Sequence, residues 1–144
     1  MAEIKVIYWS QSGNTQAMAE AIGRGIESAG ATAKVSFVTE VSVNDVKDDK
    51  VFALGCPAMG AEVLEEADME PFVAELESYV SGKTIGLFGS YGWGDGEWMR
   101  DWVDRMSAAG ATILNGEGLM CNETPDDGAL AECEEFGKQL AANA

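Results

Sequence analysis

Two stretches of this chain, VFALGC at residues 51–56 and TIGLFG at residues 84–89, carry no charged side chain and scarcely a polar one. A strand with one face in water alternates apolar and polar residues, whereas a run that is apolar throughout belongs to a strand covered on both faces. Such a strand needs a layer above it and a layer below. The rest of the sequence supplies them. Three further apolar runs lie at residues 4–9, 33–38 and 111–120, the last broken by Gly116 and Gly118. Amphipathic stretches alternate with these runs. Met18, Ile22, Ile26 and Ala29 recur at helical spacing ahead of Gly30. Phe72, Val73, Leu76 and Val80 do so within residues 70–80, and Trp98, Met99, Trp102, Val103 and Met106 ahead of Gly110. Leu130, Cys133, Phe136 and Leu140 form a fourth stripe within residues 126–142. Short strands alternating with helices predict an α/β fold: a doubly wound parallel sheet of five strands in one domain over residues 1–144. Ligands are then expected beyond the carboxyl ends of the strands.

Composition narrows the chemistry. At 144 residues the chain can bury a sizeable core without disulfides or metal. Nine basic residues against 25 acidic ones leave a net charge of −16, which excludes nucleic acid and anionic membrane and favours a partner with a basic face. There is no histidine. The commonest general base and metal ligand are therefore missing, and neither a catalytic residue nor a metal site is expected. Cys56, Cys121 and Cys133 form no CxxC motif and leave one thiol over in any pairing, which fits a reducing cytoplasm. The opening MAEIKVIYW carries Glu3 and Lys5 within a short run and then turns, so it does not read as a signal peptide. No long apolar span follows it.

The loops after strands one, three, four and five should share one edge of the sheet. The first is SQSGNT, residues 10–15. Ser10, Ser12 and Thr15 offer hydroxyls, Asn14 an amide, and Gly13 lets backbone N–H groups turn inward at a helix start, a combination suited to a phosphate without any cation. A plain polar turn, with Ser12 or Asn14 capping the helix, accounts for it equally well. A Walker loop would need GK[ST] and a dinucleotide loop GxGxxG; both are missing. After strand four, Trp93 stands between Gly92 and Gly94, where it has little local packing and reads as a stacking platform for a planar ligand. Trp98 and Trp102, four apart on a helix, read as core. Met59, after strand three, can be core or a second wall for a flat ring. A phosphate nest at one end, with an indole and a thioether at the other, suggests a monophosphate carrying a planar heterocycle.

Three motifs, [ST]x[ST]GNT, GCPAMGAE and GSYGWGDGEWM, occur here in that order, and with them the chain resembles the short-chain flavodoxins over its whole length. That resemblance implies a three-layer α/β/α fold with strand order 2-1-3-4-5, non-covalent FMN, and low-potential one-electron transfer in place of ferredoxin, by a cytoplasmic monomer that is not an enzyme. Carried onto matching positions, it places the phosphate on Ser10, Gln11, Ser12, Gly13, Asn14 and Thr15. Pro57, Ala58, Met59, Gly60, Ala61 and Glu62 would line the flavin, with Met59 on its inner face, Gly60 towards N5 and Glu62 accepting from the ring N3–H. Ser90, Tyr91, Gly92 and Gly94 would frame the pyrimidine edge and ribityl chain, and Trp93 would cover the outer face. Partners would be redox proteins with a basic docking face, such as ferredoxin-type reductases and oxidoreductases. The sequence departs from the pattern at Gln11, Ser12 and Ala61, the last of which bears on potential rather than binding. The alternatives are an FMN-dependent NAD(P)H:quinone oxidoreductase on the same fold, disfavoured by short loops and by Trp93 over the ring, and a related module that has lost FMN.

Two further expectations concern the loop after strand three. Its acidic residues Glu62, Glu65, Glu66, Asp68 and Glu70, with Asp95, Glu97, Glu123, Asp126 and Asp127 on neighbouring loops, should present a charged edge that steers a basic partner. Residues 59–62 should form a four-residue turn, with Gly60 meeting the positive φ that such a turn needs and Ala61 resisting the type that needs it twice.

Overall fold

Parallel pairing of the kind the apolar runs require is present in the computed structural model, which describes residues 3–144. Met1 and Ala2, which open both the segment read against a signal peptide and the domain expected over 1–144, lie outside the described residues. The strands are β1 (Glu3–Tyr8), β2 (Thr32–Phe37), β3 (Val51–Gly55), β4 (Thr84–Tyr91), β5 (Thr112–Ile113) and β6 (Leu119–Asn122). The helices are α1 (Asn14–Ser28), α2 (Val43–Val46), α3 (Met69–Leu76), α4 (Glu97–Ala108) and α5 (Asp127–Ala142). The sheet runs β2-β1-β3-β4-β5, with β6 also pairing β4, and each of these pairings is parallel. The expected order 2-1-3-4-5 is therefore observed.

Strand β3 is buried at all five residues, and β4 at every residue between its two ends. Period-two alternation sends Phe52 and Leu54 to one core with Leu76 of α3 and Trp98, Trp102 and Met106 of α4. Val51 and Ala53 go to the other, with Met18, Ile22 and Ile26 of α1 and Phe136 and Leu140 of α5. Helices thus cover both faces. Trp98 and Trp102 are each 1% exposed, so their reading as core holds.

The fifth run does not form one strand. β5 pairs with Thr84 and Ile85 of β4, the chain then leaves the sheet through a 3-10 turn at Leu114–Gly116, and β6 pairs with residues 88–91 of β4. Asn115 and Gly116 take φ of 64° and 74°, a left-handed pair that no strand can contain. On one face of the sheet, α1 and α5 pack backbone to backbone. A Cβ on Gly25 would collide with the Glu134 carbonyl, and one on Gly137 with the Ile22 carbonyl. A methyl at Gly25 must therefore push two helix backbones apart. Gly25→Ala is expected to lower stability by about 1–3 kcal/mol, the usual cost of overpacking. Thermal unfolding followed by circular dichroism measures it, and an unchanged Tm would mean the helix pair yields freely.

Candidate functional site

Loops following β1, β3, β4 and β6 leave the same edge of the sheet, as parallel strands require. In the first, the Gly13 N–H donates to Ser10 Oγ at 3.2 Å, and Gly13 adopts φ 94°, open to glycine at no steric cost. The chain then enters α1 at Asn14, whose N–H lies 3.5 Å from Ser12 Oγ, while the N-cap Gly13 offers no side chain. At α5, by contrast, Asp126 Oδ1 accepts from the Ala129 N–H at 2.8 Å, while α4, like α1, starts from a glycine without a side-chain cap. The first-turn N–H groups of α1 are the ones left facing the crevice, at the positive end of a helix dipole.

Thr15 is 1% exposed and Ser90 4%, and their hydroxyl oxygens lie 2.9 Å apart. The Ser90 N–H also donates to Thr15 Oγ1 at 3.4 Å. Two hydroxyls carry two protons and their mutual bond uses one, so one O–H remains to be donated. This pair ties the first loop to the end of β4. Between them opens a cavity of about 270 Å³. Gln11, Ser12 and Asn14 line it from the first loop, Pro57, Ala58 and Met59 from the second, and Ser90, Tyr91 and Gly92 from the third. Ser10, Gly13 and Thr15 shape the first loop from behind this lining, while Gly60, Ala61, Glu62, Trp93 and Gly94 lie beyond it along the loops after β3 and β4. Glu123 also lines the cavity and was absent from the sequence-based site. Its backbone N–H donates to the Tyr91 carbonyl at 2.7 Å, and its φ is 58°. The sequence marked Glu123 only as one acid among several on that edge.

The loop after β3 departs from expectation. Met59 and Val63 exchange both backbone hydrogen bonds at 3.0 Å, so the chain reverses over three residues, Gly60, Ala61 and Glu62, rather than within a four-residue turn. Gly60 has φ 47°, as expected, but the second positive φ, 57°, falls on Glu62 and not on Ala61. Closing the loop one residue later moves the left-handed position along by one. Glu62 then folds against Gly94, where a Cβ would meet its carboxylate, and Glu62 Oε1 is buried without a hydrogen-bond partner. A buried acceptor without a donor is costly, and it marks where a ligand N–H is wanted.

The acidic edge is also not uniform. Glu65 is 7% exposed, and its carboxylate accepts from the N–H groups of Ala67, Asp68 and Met69 at 2.8, 2.8 and 2.9 Å. It organises the start of α3 and is no part of a solvated face. Glu70 holds Arg105 through both carboxylate oxygens at 2.7 and 2.6 Å, and Asp95 pairs with Arg100 at 3.1 Å. Glu66 and Glu123 remain exposed. Burial pushes the Cys56 thiol, at the base of the crevice, up to about 12, so it offers no thiolate at neutral pH. Above the crevice Trp93 is 71% exposed, while Tyr91 packs on Trp98 with ring centroids 5.7 Å apart. An uncapped helix start, a hydroxyl with a spare proton, an exposed indole and an orphaned carboxylate oxygen fit a phosphate-bearing planar group with a ring N–H.

The flavodoxin family profile matches residues 6–137. The chain is 45% identical to a flavodoxin of Clostridium beijerinckii over 138 residues, 96% of this chain and 99% of the relative. It is 44% identical to a flavodoxin of Megasphaera elsdenii over 138 residues, 96% of this chain and 98% of the relative. The solution structure of the two-electron reduced M. elsdenii flavodoxin superimposes with a TM-score of 0.86 at 42% identity, covering 96% of this chain and 98% of that one.

Removing the Glu65 carboxylate leaves three backbone donors without their acceptor. Glu65→Ala is expected to cost about 1–2 kcal/mol in urea unfolding. Glu66→Ala, at an exposed neighbour, should stay within about 0.5 kcal/mol. Equal effects from the two would return Glu65 to the solvated acidic edge.

Proposed function

The chain belongs to the flavodoxin family of FMN-binding electron carriers, and on that premise we propose that it is a low-potential one-electron carrier standing in for ferredoxin between redox enzymes. It is an electron-transfer protein rather than an enzyme, and the relatives give the NAD(P)H:quinone oxidoreductase alternative no support. FMN, when bound, supplies the electron-transfer chemistry. The chain, one domain over residues 1–144, supplies the surroundings.

In this reading the backbone and hydroxyls of Ser10, Gln11, Ser12, Gly13, Asn14 and Thr15 hold the phosphate by hydrogen bonds alone. Ser90, Tyr91, Gly92 and Gly94 frame the ribityl chain and pyrimidine edge, while Pro57, Ala58, Met59, Gly60 and Ala61 form the inner wall. Trp93 closes the outer face. Glu62 accepts from the ring N3–H, and the buried, unpartnered Glu62 Oε1 is the observation that carries this assignment. No Lys or Arg lines the cavity, and Glu123 does. A crevice lined by a carboxylate and by no cation opposes added negative charge, which favours a low potential. A net charge of −16 favours a monomer with a basic-faced redox partner, and three free, buried thiols fit a reducing cytoplasm. Among the described residues no helix is long and apolar enough to cross a membrane.

The visible spectrum of the purified protein tests cofactor binding directly, since flavin bands must be present or appear on adding FMN to apoprotein. Trp93→Ala should then weaken FMN binding about tenfold, the scale of one lost aromatic stack plus its buried area. An unchanged affinity would take Trp93 out of the site. Electron transfer to a basic partner should slow as ionic strength rises through about 0.1 M, where the Debye length is about 10 Å. Rates flat across that range would remove the steering role of the acidic edge.

A further inference from the structure

Behind the loop after β3 lies a second cavity, of about 140 Å³, lined in part by Glu62, Glu70, Trp98, Asp101, Trp102 and Arg105. Most of these polar groups are already engaged. Trp98 Nε1–H donates to the Cys56 carbonyl at 3.1 Å. Arg105 is held by both oxygens of Glu70 and by Glu77. Asp101 stands exposed to solvent. Two groups are left. Among the described residues, Glu62 Oε1 and Trp102 Nε1 are the buried side-chain polar atoms without a hydrogen-bond partner, and both residues line this cavity.

One is an acceptor and the other a donor, yet no direct hydrogen bond joins them. A cation would satisfy the carboxylate and leave the indole N–H unpaired, and an anion would do the reverse. Water serves both, because it accepts and donates at once. A cavity of about 140 Å³ has room for it, since a water molecule takes about 30 Å³ in the liquid. We infer that an ordered water in this cavity accepts from Trp102 Nε1–H and donates to one lone pair of Glu62 Oε1, the other staying open to the ring N3–H, which makes Trp102 a positioning residue for that carboxylate. Glu62 needs one. It sits at φ 57°, outside the region a side chain prefers, so the placement of its carboxylate against Gly94 must be held by contacts beyond its own backbone. The role of Trp102 towards FMN rests on the reading of Glu62 as the acceptor for the ring N3–H; the water bridge itself does not.

Two measurements test this. In the NMR spectrum of the apoprotein, the Trp102 indole proton should move upfield and exchange faster in Glu62→Ala, but hold its position in Glu62→Gln, which keeps an acceptor oxygen. The Trp9 signal should hold in both variants. A Trp102 signal that ignores Glu62→Ala overturns the bridge, and this comparison leaves the buried indole in place. In FMN titrations of apoprotein, Trp102→Phe should weaken binding by about 3–10-fold, the scale of one charge-assisted hydrogen bond relayed through water. Added to Glu62→Ala, the same change should weaken it by no more than about twofold, because coupled residues do not add. Equal losses in the two backgrounds overturn the positioning role. An FMN affinity indifferent to Glu62→Ala overturns the assignment of Glu62 to the ring, while the indole signal decides the bridge separately.

Discussion

The contact between the carboxyl ends of β3 and β4 sets the positions of three of the site's loops. The Cys56 N–H donates to the Phe88 carbonyl at 3.1 Å and the Ala58 N–H to that of Ser90 at 3.0 Å, which carries strand pairing past the end of β3. Gly89 makes this possible, since a Cβ there would strike the Cys56 carbonyl. The same carbonyl accepts from Trp98 Nε1, so the first turn of α4 is fastened to the loop after β3. Ser90, one residue beyond Gly89, reaches Thr15 in α1. Three loops from distant parts of the chain are thereby held by a few hydrogen bonds.

Around that joint the protein spends its carboxylates in two ways. Glu65 and Asp126 turn inward along the chain and satisfy the orphan N–H groups at the starts of α3 and α5. At α1 the Asn14 N–H reaches Ser12 Oγ at 3.5 Å, and the N-cap, Gly13, has no side chain to offer. A helix already capped by its own acid has no donors left for a phosphate, so the start of α1 is open to one in a way that the starts of α3 and α5 are not. With no cation lining the crevice, affinity for an oxyanion there must come from aligned N–H and O–H dipoles rather than from charge. A site so built can hold a phosphate without placing a fixed positive charge near a redox centre, and the nearby carboxylates keep the surroundings electronegative.

Backbone geometry concentrates at the same edge. Gly13, Gly60, Gly94 and Gly96 take positive φ there, and so do Glu62 and Glu123. For the two glutamates this conformation costs about 1–2 kcal/mol each. Both belong to the site, Glu62 on the loop after β3 and Glu123 in the lining of the crevice. Strain of this kind persists only where surrounding contacts hold it, here the paired Met59 and Val63 and the hydrogen bond from Glu123 to Tyr91.

Local pattern alone determined much of this protein. The unbroken apolar runs of β3 and β4 required layers on both faces, the helical stripes supplied them, and alternation imposed a parallel sheet with its loops on one edge. The loop residues Ser10, Ser12, Gly13, Asn14 and Thr15, and the isolated Trp93, were legible because hydroxyls around a glycine and an indole between glycines have no use inside regular structure. Tertiary structure decided the rest, and the reason is the same in each case: the outcome hung on a partner distant in sequence. Whether Glu65 faced solvent or the backbone depended on how the chain folded back ahead of α3. Whether positive φ fell on Ala61 or Glu62 depended on Met59 pairing with Val63. The split of residues 111–120 into β5 and β6 depended on where β4 could accept a neighbour. That Glu62 and Trp102 line a common cavity follows only from α4 packing beneath the loop after β3, a juxtaposition that no spacing along the chain encodes.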